Sequence, residues 1–291
     1  MFKKLCVIGV GLIGGSIAKA ARANNLVETI VGFGRADDIE NLQLAKELGV
    51  IDEFFTEIEP AVLGADCVII ATPVAATENV LKQLKPFWSQ NTIYTDVGST
   101  KGNVVDAAKN VFGEVPSNFI PAHPIAGAEN SGVQAALVDL FVKKRLIITP
   151  LENANSDALN ALQQFWENIG AMVSLMNVQE HDSVLAATSH LPHILAFGLV
   201  DMLGHRDEQE DIFKFAAGGF RDFTRIASSD PTMWTAICEA NKNELVPLLE
   251  QFKTELSKVQ TLLETDDYTQ LSELFAYANT ARQRFLAQQT S

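Results

Sequence analysis

The chain predicts an α/β fold: an N-terminal, mostly parallel sheet wrapped by helices, and a C-terminal part that is all helix. Three observations carry that expectation. An apolar run at 5–8 passes straight into Gly9-Val10-Gly11-Leu12-Ile13-Gly14-Gly15, and a helical pattern opens at Ser16. Strand and helix patterns then alternate as far as about residue 177, the rhythm of βαβ units. Beyond that point only helical periodicity remains, which sets the expected domains at 1–177 and 178–291.

After the first strand and helix, 29–33 reads as a second strand and 39–48 as a helix. Residues 67–71 form a third strand ended by Thr72-Pro73, and 78–84 is helical. A fourth strand at 92–97 runs into Gly98-Ser99-Thr100-Lys101, which opens a helix over 104–111. Short strands follow at 118–122, stopping at His123, and at 146–149 and 172–176, with a helix over 159–168. In the second part helix is expected from 179 to 287, broken at Leu191-Pro192, at Gly218-Gly219 and at 228–231. Leu245, Leu248, Leu249, Phe252, Leu256, Val259 and Leu263 fall at three- and four-residue spacings and mark a long amphipathic helix. So small a helical domain cannot easily bury stripes of that length alone. A homodimer through these helices is therefore expected beside the alternative of packing within one chain.

Composition narrows the function classes. The 291 residues carry a net charge of −14, from 22 basic and 36 acidic side chains. Nucleic acid and anionic membranes need a basic face, so neither is an expected partner. An anionic substrate must instead be met by a locally basic pocket inside an unfavourable field. Cys6, Cys67 and Cys238 lie far apart without a CxxC pair and read as small buried hydrophobes in a reducing compartment. The apolar run near Met1 is too short for a signal peptide and leads into the glycine turn, and no run approaches the ~18 apolar residues of a membrane span. A soluble, cytoplasmic protein is expected.

In its strand–turn–helix setting the glycine run is a dinucleotide fingerprint, and it makes the first part Rossmann-type. Gly9 permits the tight turn, Gly11 lets backbone approach a pyrophosphate, and Gly14 lets helix and strand pack closely. The helix start at Leu12 and Ile13 turns its N–H groups to the phosphates. The acid that commonly holds the adenine ribose belongs at the end of the second strand, where Val31-Gly32-Phe33-Gly34-Arg35 stands instead. Gly34 leaves room for a 2′-phosphate and Arg35 can pair with one bidentately, which favours NADP, with NAD as the alternative. Asp37 or Asp38 reaching the ribose, or Arg35 lying on the adenine, is the competing reading.

Ligands of open α/β sheets bind beyond the carboxyl ends of the strands. Three such ends carry Thr72-Pro73, Gly98-Ser99-Thr100-Lys101 and Ala122-His123-Pro124-Ile125-Ala126-Gly127. Thr72, Pro73 and Ser99 thus complete the expected cofactor-facing set. A histidine in such a place, with a pKa near neutrality, can take the proton of a hydroxyl that loses hydride. A lone histidine is more often structural, so the wider pattern decides.

That pattern runs through Gly9-x-Gly11-Leu12-Ile13-Gly14-Gly15-Ser16, Asp96-Val-Gly-Ser-Thr-Lys101 and His123-Pro-Ile-Ala-Gly-Ala-Glu129. It continues in Thr188-Ser-His-Leu-Pro-His193, Gly219-Phe-Arg-Asp-Phe-Thr-Arg-Ile-Ala227 and Ser229-Asp-Pro-Thr-Met-Trp234. With these motifs in this order over almost its whole length, the chain resembles the TyrA family, the prephenate, arogenate and cyclohexadienyl dehydrogenases of tyrosine biosynthesis. The resemblance implies oxidative decarboxylation of a hydroxycyclohexadienyl acid with hydride transfer to NAD(P). It makes His123 the catalytic histidine on the ring hydroxyl and Ser99 a serine between that hydroxyl and the nicotinamide. It makes Arg225 the holder of the ring carboxylate, and has His193 and Ser189 line the pocket from the helical side. Asp222 and Trp234 fall near the pocket mouth, the tryptophan open to contribution by a partner subunit, and Glu129 becomes a rim carboxylate.

Two departures stand out: Ala128 where some members carry a hydroxyl, and the missing acid after the second strand. Rival classes are the β-hydroxyacid dehydrogenases and imine reductases, which place a lysine or other residues in the helical half, and a dinucleotide-sensing dimer without turnover. Arg221 and Arg225 also fit helix-surface ion pairs. His190 and His193 are spaced for a metal pair, but Pro192 intervenes and no further ligand completes a set, so no metal is expected. Nothing in the motifs touches the substrate side chain, which leaves prephenate and arogenate open. No appended regulatory domain is read, so inhibition by tyrosine would act at the active site.

Overall fold

The structure is a computed structural model describing residues 1–128 and 130–289, apart from the side chains at 209, 210 and 289. It divides into two compact units, Met1–Lys242 and Asn243–Ser291.

The first unit opens with β1 (Phe2–Ile8), α1 (Leu12–Ala23), β2 (Val27–Phe33), α2 (Ile39–Glu47), β3 (Glu53–Phe55), α3 (Ile58–Val62), β4 (Cys67–Ile70), α4 (Thr77–Leu84) and β5 (Ile93–Asp96). Its five strands are all parallel, in the order β3-β2-β1-β4-β5. Leu5 and Val7 enter one core and Cys6 and Ile8 the other, on the opposite face of the sheet. Both faces are covered, which is why β1 reads as a continuous apolar run rather than an alternating one. Each aliphatic side chain so buried contributes about 1.5–3 kcal/mol. Burial pushes the Cys6 thiol up to about 12 and raises that of Cys67 as well, so neither is a reactive thiolate. The three-residue β3 carries too little pattern to be read from sequence. Strand order reverses between β1 and β4, and the crevice at their carboxyl ends is the place where such sheets bind ligands.

After α5 (Gly102–Phe112), a second sheet is made by β6 (Ala122–Pro124), β7 (Arg145–Ile148) and β8 (Met172–Leu175), with α6 (Ser156–Asn168) leading into β8. β6 runs antiparallel to β7, and β7 parallel to β8. The expected strand at 118–122 is corrected. Residues 118–120 only bridge to β5, through Tyr94 N–H to the Asn118 carbonyl (2.9 Å) and Ile120 N–H to the Tyr94 carbonyl (2.8 Å). Pro121 has no N–H for a ladder. The chain changes partner there, and His123 lies inside β6 opposite Ile147 rather than just past a strand.

The expected break at Leu191-Pro192 is also absent. α7 (Val178–Leu185), a π turn over Ala186–His190 and α8 (Leu191–Glu210) follow without interruption. Proline removes a backbone donor, and the wider turn just before it absorbs the change of register. The continuous helix 178–208 is long and apolar enough, by length and composition only, to cross a membrane, which corrects the expectation that nothing in the chain is. His181, Asp182 and His190 interrupt its apolar run, and all three are buried and hydrogen-bonded within the unit. Gly218-Gly219 start α9 (Gly218–Thr224) rather than break a helix; the interruption lies upstream, where Asp211 turns left-handed at φ 54°. α10 (Pro231–Ala240) begins at the expected break, its first turn capped by the Asp230 carboxylate, which accepts the Met233 N–H at 2.7 Å.

The second unit holds α11 (Lys242–Glu264), whose first residue belongs to the first unit, and α12 (Tyr268–Gln289). α11 is the long amphipathic helix anticipated from the leucine spacing. Leu256, Leu263, Phe275, Tyr277 and Phe285 are exposed on these two helices.

Candidate active site

At the carboxyl end of β1, Gly9 sits at φ +91°, and a Cβ there would lie 2.8 Å from the Ala71 carbonyl oxygen. A Cβ on Gly14 would come within 2.1 Å of the Gly9 carbonyl oxygen. Both glycines are therefore demanded by close packing. Gly11 differs: a Cβ there meets nothing within 4 Å, so the space above it, at the start of α1, is open. The N–H groups of Leu12, Ile13 and Gly14 have no acceptor inside the helix. Beside the turn, the Thr72 hydroxyl is buried without a hydrogen-bond partner, while Pro73 is exposed and Ser99 half-buried in the turn between β5 and α5. An open cradle, free helix-end donors and an orphaned hydroxyl fit a dinucleotide pyrophosphate.

At the end of β2, Arg35 is exposed and paired with Asp37 at 3.0 Å. The acid missing from the strand end is nevertheless at hand. Asp38 Oδ2 lies 3.3 Å from where a Gly34 Cβ would be, and accepts from Asn41 Nδ2 at 3.3 Å.

His123 stands at the end of a buried polar chain. Its Nδ1 is 2.9 Å from His181 Nε2, and His181 Nδ1 is 2.8 Å from Asp182 Oδ1. The Asp182 carboxylate also accepts the backbone N–H of Lys101 (2.8 Å, to Oδ1) and of Gly102 (2.7 Å, to Oδ2), at the start of α5. Three donors hold it ionised, and its pKa is lowered despite partial burial. The Lys101 side chain, fully buried, bonds Asp96 Oδ2 and donates to the Ala122 carbonyl at 2.7 Å, tying the end of β5 to the residue before His123. Burial pushes the His123 pKa well below the usual value, and the nearby His181, Lys101 and His190 add to the push. At neutral pH the imidazole is an uncharged base.

The helical side contributes a second cluster. His193 donates from Nδ1 to the Ser189 carbonyl at 2.9 Å and stacks on the Trp234 indole, centroids 3.6 Å apart. Burial lowers the His193 pKa, and the Arg225 charge lowers it further, which places that guanidinium within electrostatic reach. Trp234 Nε1 is buried without a partner. Trp234 shares a small apolar cluster with Ile237 and with Val74, the residue after Pro73, so the helical cluster abuts the cofactor-facing end of β4 in the same chain. Asn241 Nδ2 donates to the Asp182 carbonyl (2.8 Å) and to His190 Nδ1 (3.1 Å). With burial the main cause, His190 falls to about 4. His190 and His193, considered above as a metal pair, are thus engaged separately, and no group of three metal-ligating side chains occurs among the described residues.

Gly9, Gly11, Gly14, Thr72 and Ser99 accordingly gather at the sheet end, and His193, Ser189, Trp234 and Arg225 form the helical cluster. Asp222 is exposed on α9, and Glu129 lies outside the described residues. Sequence reasoning missed His181, Asp182 and Asn241 altogether, and quoted Asp96 and Lys101 only as parts of a motif. The adjacent His-Asp pair on a helix was the available signal.

The nucleotide-binding domain of prephenate dehydrogenase matches residues 17–175, and the prephenate dehydrogenase dimerization domain matches 177–277. The cyclohexadienyl dehydrogenase of Zymomonas mobilis is 35% identical over 285 residues, 97% of this chain and 96% of that protein. The prephenate dehydrogenase of Bacillus subtilis is 39% identical over 282 residues, 96% of this chain and 74% of that one. Among solved structures, the prephenate dehydrogenase of Aquifex aeolicus in complex with hydroxyphenyl propionate and NAD+ superimposes with a TM-score of 0.90 at 35% identity, covering 98% of this chain and 99% of that one. Matches of this extent in both halves mean that the chain belongs to the prephenate dehydrogenase family.

Proposed function

We propose that the chain carries out the oxidative decarboxylation of prephenate, arogenate or both, giving 4-hydroxyphenylpyruvate or tyrosine with hydride transfer to NAD(P)+. The observation that carries this reading is His123, an uncharged base with one ring nitrogen committed to His181, in the chain that also holds the turn of Ser99. When bound, the nicotinamide supplies the acceptor for the hydride that leaves the hydroxyl-bearing ring carbon. The protein supplies the rest. His123 Nε2 takes the hydroxyl proton, and Ser99 holds that oxygen in line. The ring carboxylate departs as CO2, its electron pair enters the ring, and aromatisation drives the step. The new phenol oxygen then regains its proton from His123, so no proton is lost overall. Arg225 holds the carboxylate until it leaves, a locally basic contact in a chain of net charge −14. The unpartnered Trp234 Nε1 offers a hydrogen bond at the same side.

NADP is the preferred cofactor in this reading, supported by the exposed Arg35 and by the absence of an acid at the end of β2. Asp38, beside Gly34, gives NAD its opening. Arg35→Ala should then lower kcat/KM for NADP and leave that for NAD nearly unchanged. A homodimer through the helical part is supported by the dimerization-domain match and by the exposed apolar side chains of α11 and α12. Substrate labelled in the ring carboxyl tests the reaction: one CO2 per nicotinamide reduced is expected, whereas reduction without CO2 would mean a hydroxyacid dehydrogenase of another class.

A further inference from the structure

The hydrogen-bond chain behind His123 has a direction. Asp182 is ionised and can only accept, and its oxygens already receive the Lys101 and Gly102 N–H groups at the start of α5. His181 Nδ1, 2.8 Å away, must therefore carry a hydrogen. His181 is completely buried. With its single hydrogen on Nδ1 the ring has a lone pair at Nε2, and among the described residues the polar atom hydrogen-bonded to that nitrogen is His123 Nδ1, 2.9 Å away. We propose that His181, oriented by Asp182, is a positioning residue that fixes His123 with the proton on Nδ1 and the lone pair on Nε2, the nitrogen that must receive the substrate's proton. This role rests on the dehydrogenase reading for its purpose but not for its geometry.

Several features support that role over simple core filling. Two largely buried imidazoles would be a costly way to fill a core, since each buried nitrogen needs a partner. Every one of theirs that faces protein has one. The backing is rigid: Asp182 is held by backbone N–H groups, and Asn241 pins its carbonyl. The same carboxylate fixes the beginning of α5, directly after the Ser99 turn, so one group sets both the base and the residue proposed to work beside it. A ring free to choose its tautomer would spend part of its time with a hydrogen on Nε2, unable to act as base.

The direct test is the 15N spectrum of histidine-labelled, substrate-free protein at neutral pH. A pyrrole-type His123 Nδ1 and a pyridine-type Nε2 are expected; the reverse would overturn the proposal. That readout needs no turnover, so it stands or falls separately from the assigned reaction. Kinetics provide the second arm. His181→Leu, which accepts nothing, should lower kcat roughly 10- to 100-fold with the KM values for substrate and cofactor little changed. His181→Gln, which can accept at the Nε2 position, should recover most of the loss. Wild-type kcat in His181→Leu would contradict the role, as would a loss shared by KM and cofactor binding that glutamine does not repair.

Discussion

The Trp234 indole lies flat against the His193 imidazole, centroids 3.6 Å apart and planes inclined by 19°, with Trp234 Nε1 buried and unbonded. A buried N–H without a partner is unfavourable by about 1–3 kcal/mol, and a ligand that accepts from it recovers that free energy on binding. Trp234→Phe keeps the stack and removes the donor. It should raise substrate KM by roughly 5- to 50-fold at little change in kcat or thermal stability, measured by initial rates and a melting curve.

His123 and Arg225 are expected to fail differently. His123→Asn removes the base and should lower kcat by roughly 10²–10⁴ with modest change in KM. Arg225→Ala removes a carboxylate holder and should mainly raise KM. A His123→Asn enzyme with near wild-type kcat would sink the assignment of the base.

The glycine turn separates packing from binding. Gly14→Ala places a methyl 2.1 Å from the Gly9 carbonyl and should destabilise the whole first unit, seen as a lowered Tm. Gly11→Ala meets no protein atom within 4 Å and should leave Tm nearly unchanged while weakening dinucleotide binding in a direct titration. Equal losses of stability in both would mean that the space above Gly11 is not a ligand cradle.

Two buried histidines set an acid limit. Burial depresses the pKa of His123 well below its usual value and that of His190 to about 4. The unfolded chain binds their protons near 6.5 while the folded chain resists. Stability is therefore fully present above pH 6.5 and declines as pH falls toward 4, by up to about 1.4 kcal/mol per pH unit for each proton taken up on unfolding. Urea titrations from pH 8 to 4.5 should show this fall, and His190→Gln should flatten part of it.

The legibility of the chain follows from how far apart its partners lie. The glycine turn and β1 were legible because their pattern is local, the four apolar residues 5–8 running straight into the glycine turn. The turn of Ser99 was legible as a strand end. His123 was singled out, but its strand was misplaced because Pro121 hands the chain from one sheet to the other. His181 is 58 residues from the histidine it bonds, and Lys101 bonds a carboxylate 81 residues away. No periodicity records such pairings; only the fold brings α7 against the start of α5. Likewise Pro192 looked like a stop because a proline's local effect is to break a helix, whereas the π turn before it keeps the helix whole.

The most direct test of the central claim is a grid of initial rates: prephenate or arogenate, each with NAD or NADP, followed by nicotinamide reduction. Turnover with at least one of the two substrates, faster with NADP and abolished by His123→Asn, is the predicted result. No reduction in any of the four combinations, while the protein still binds dinucleotide, would contradict it.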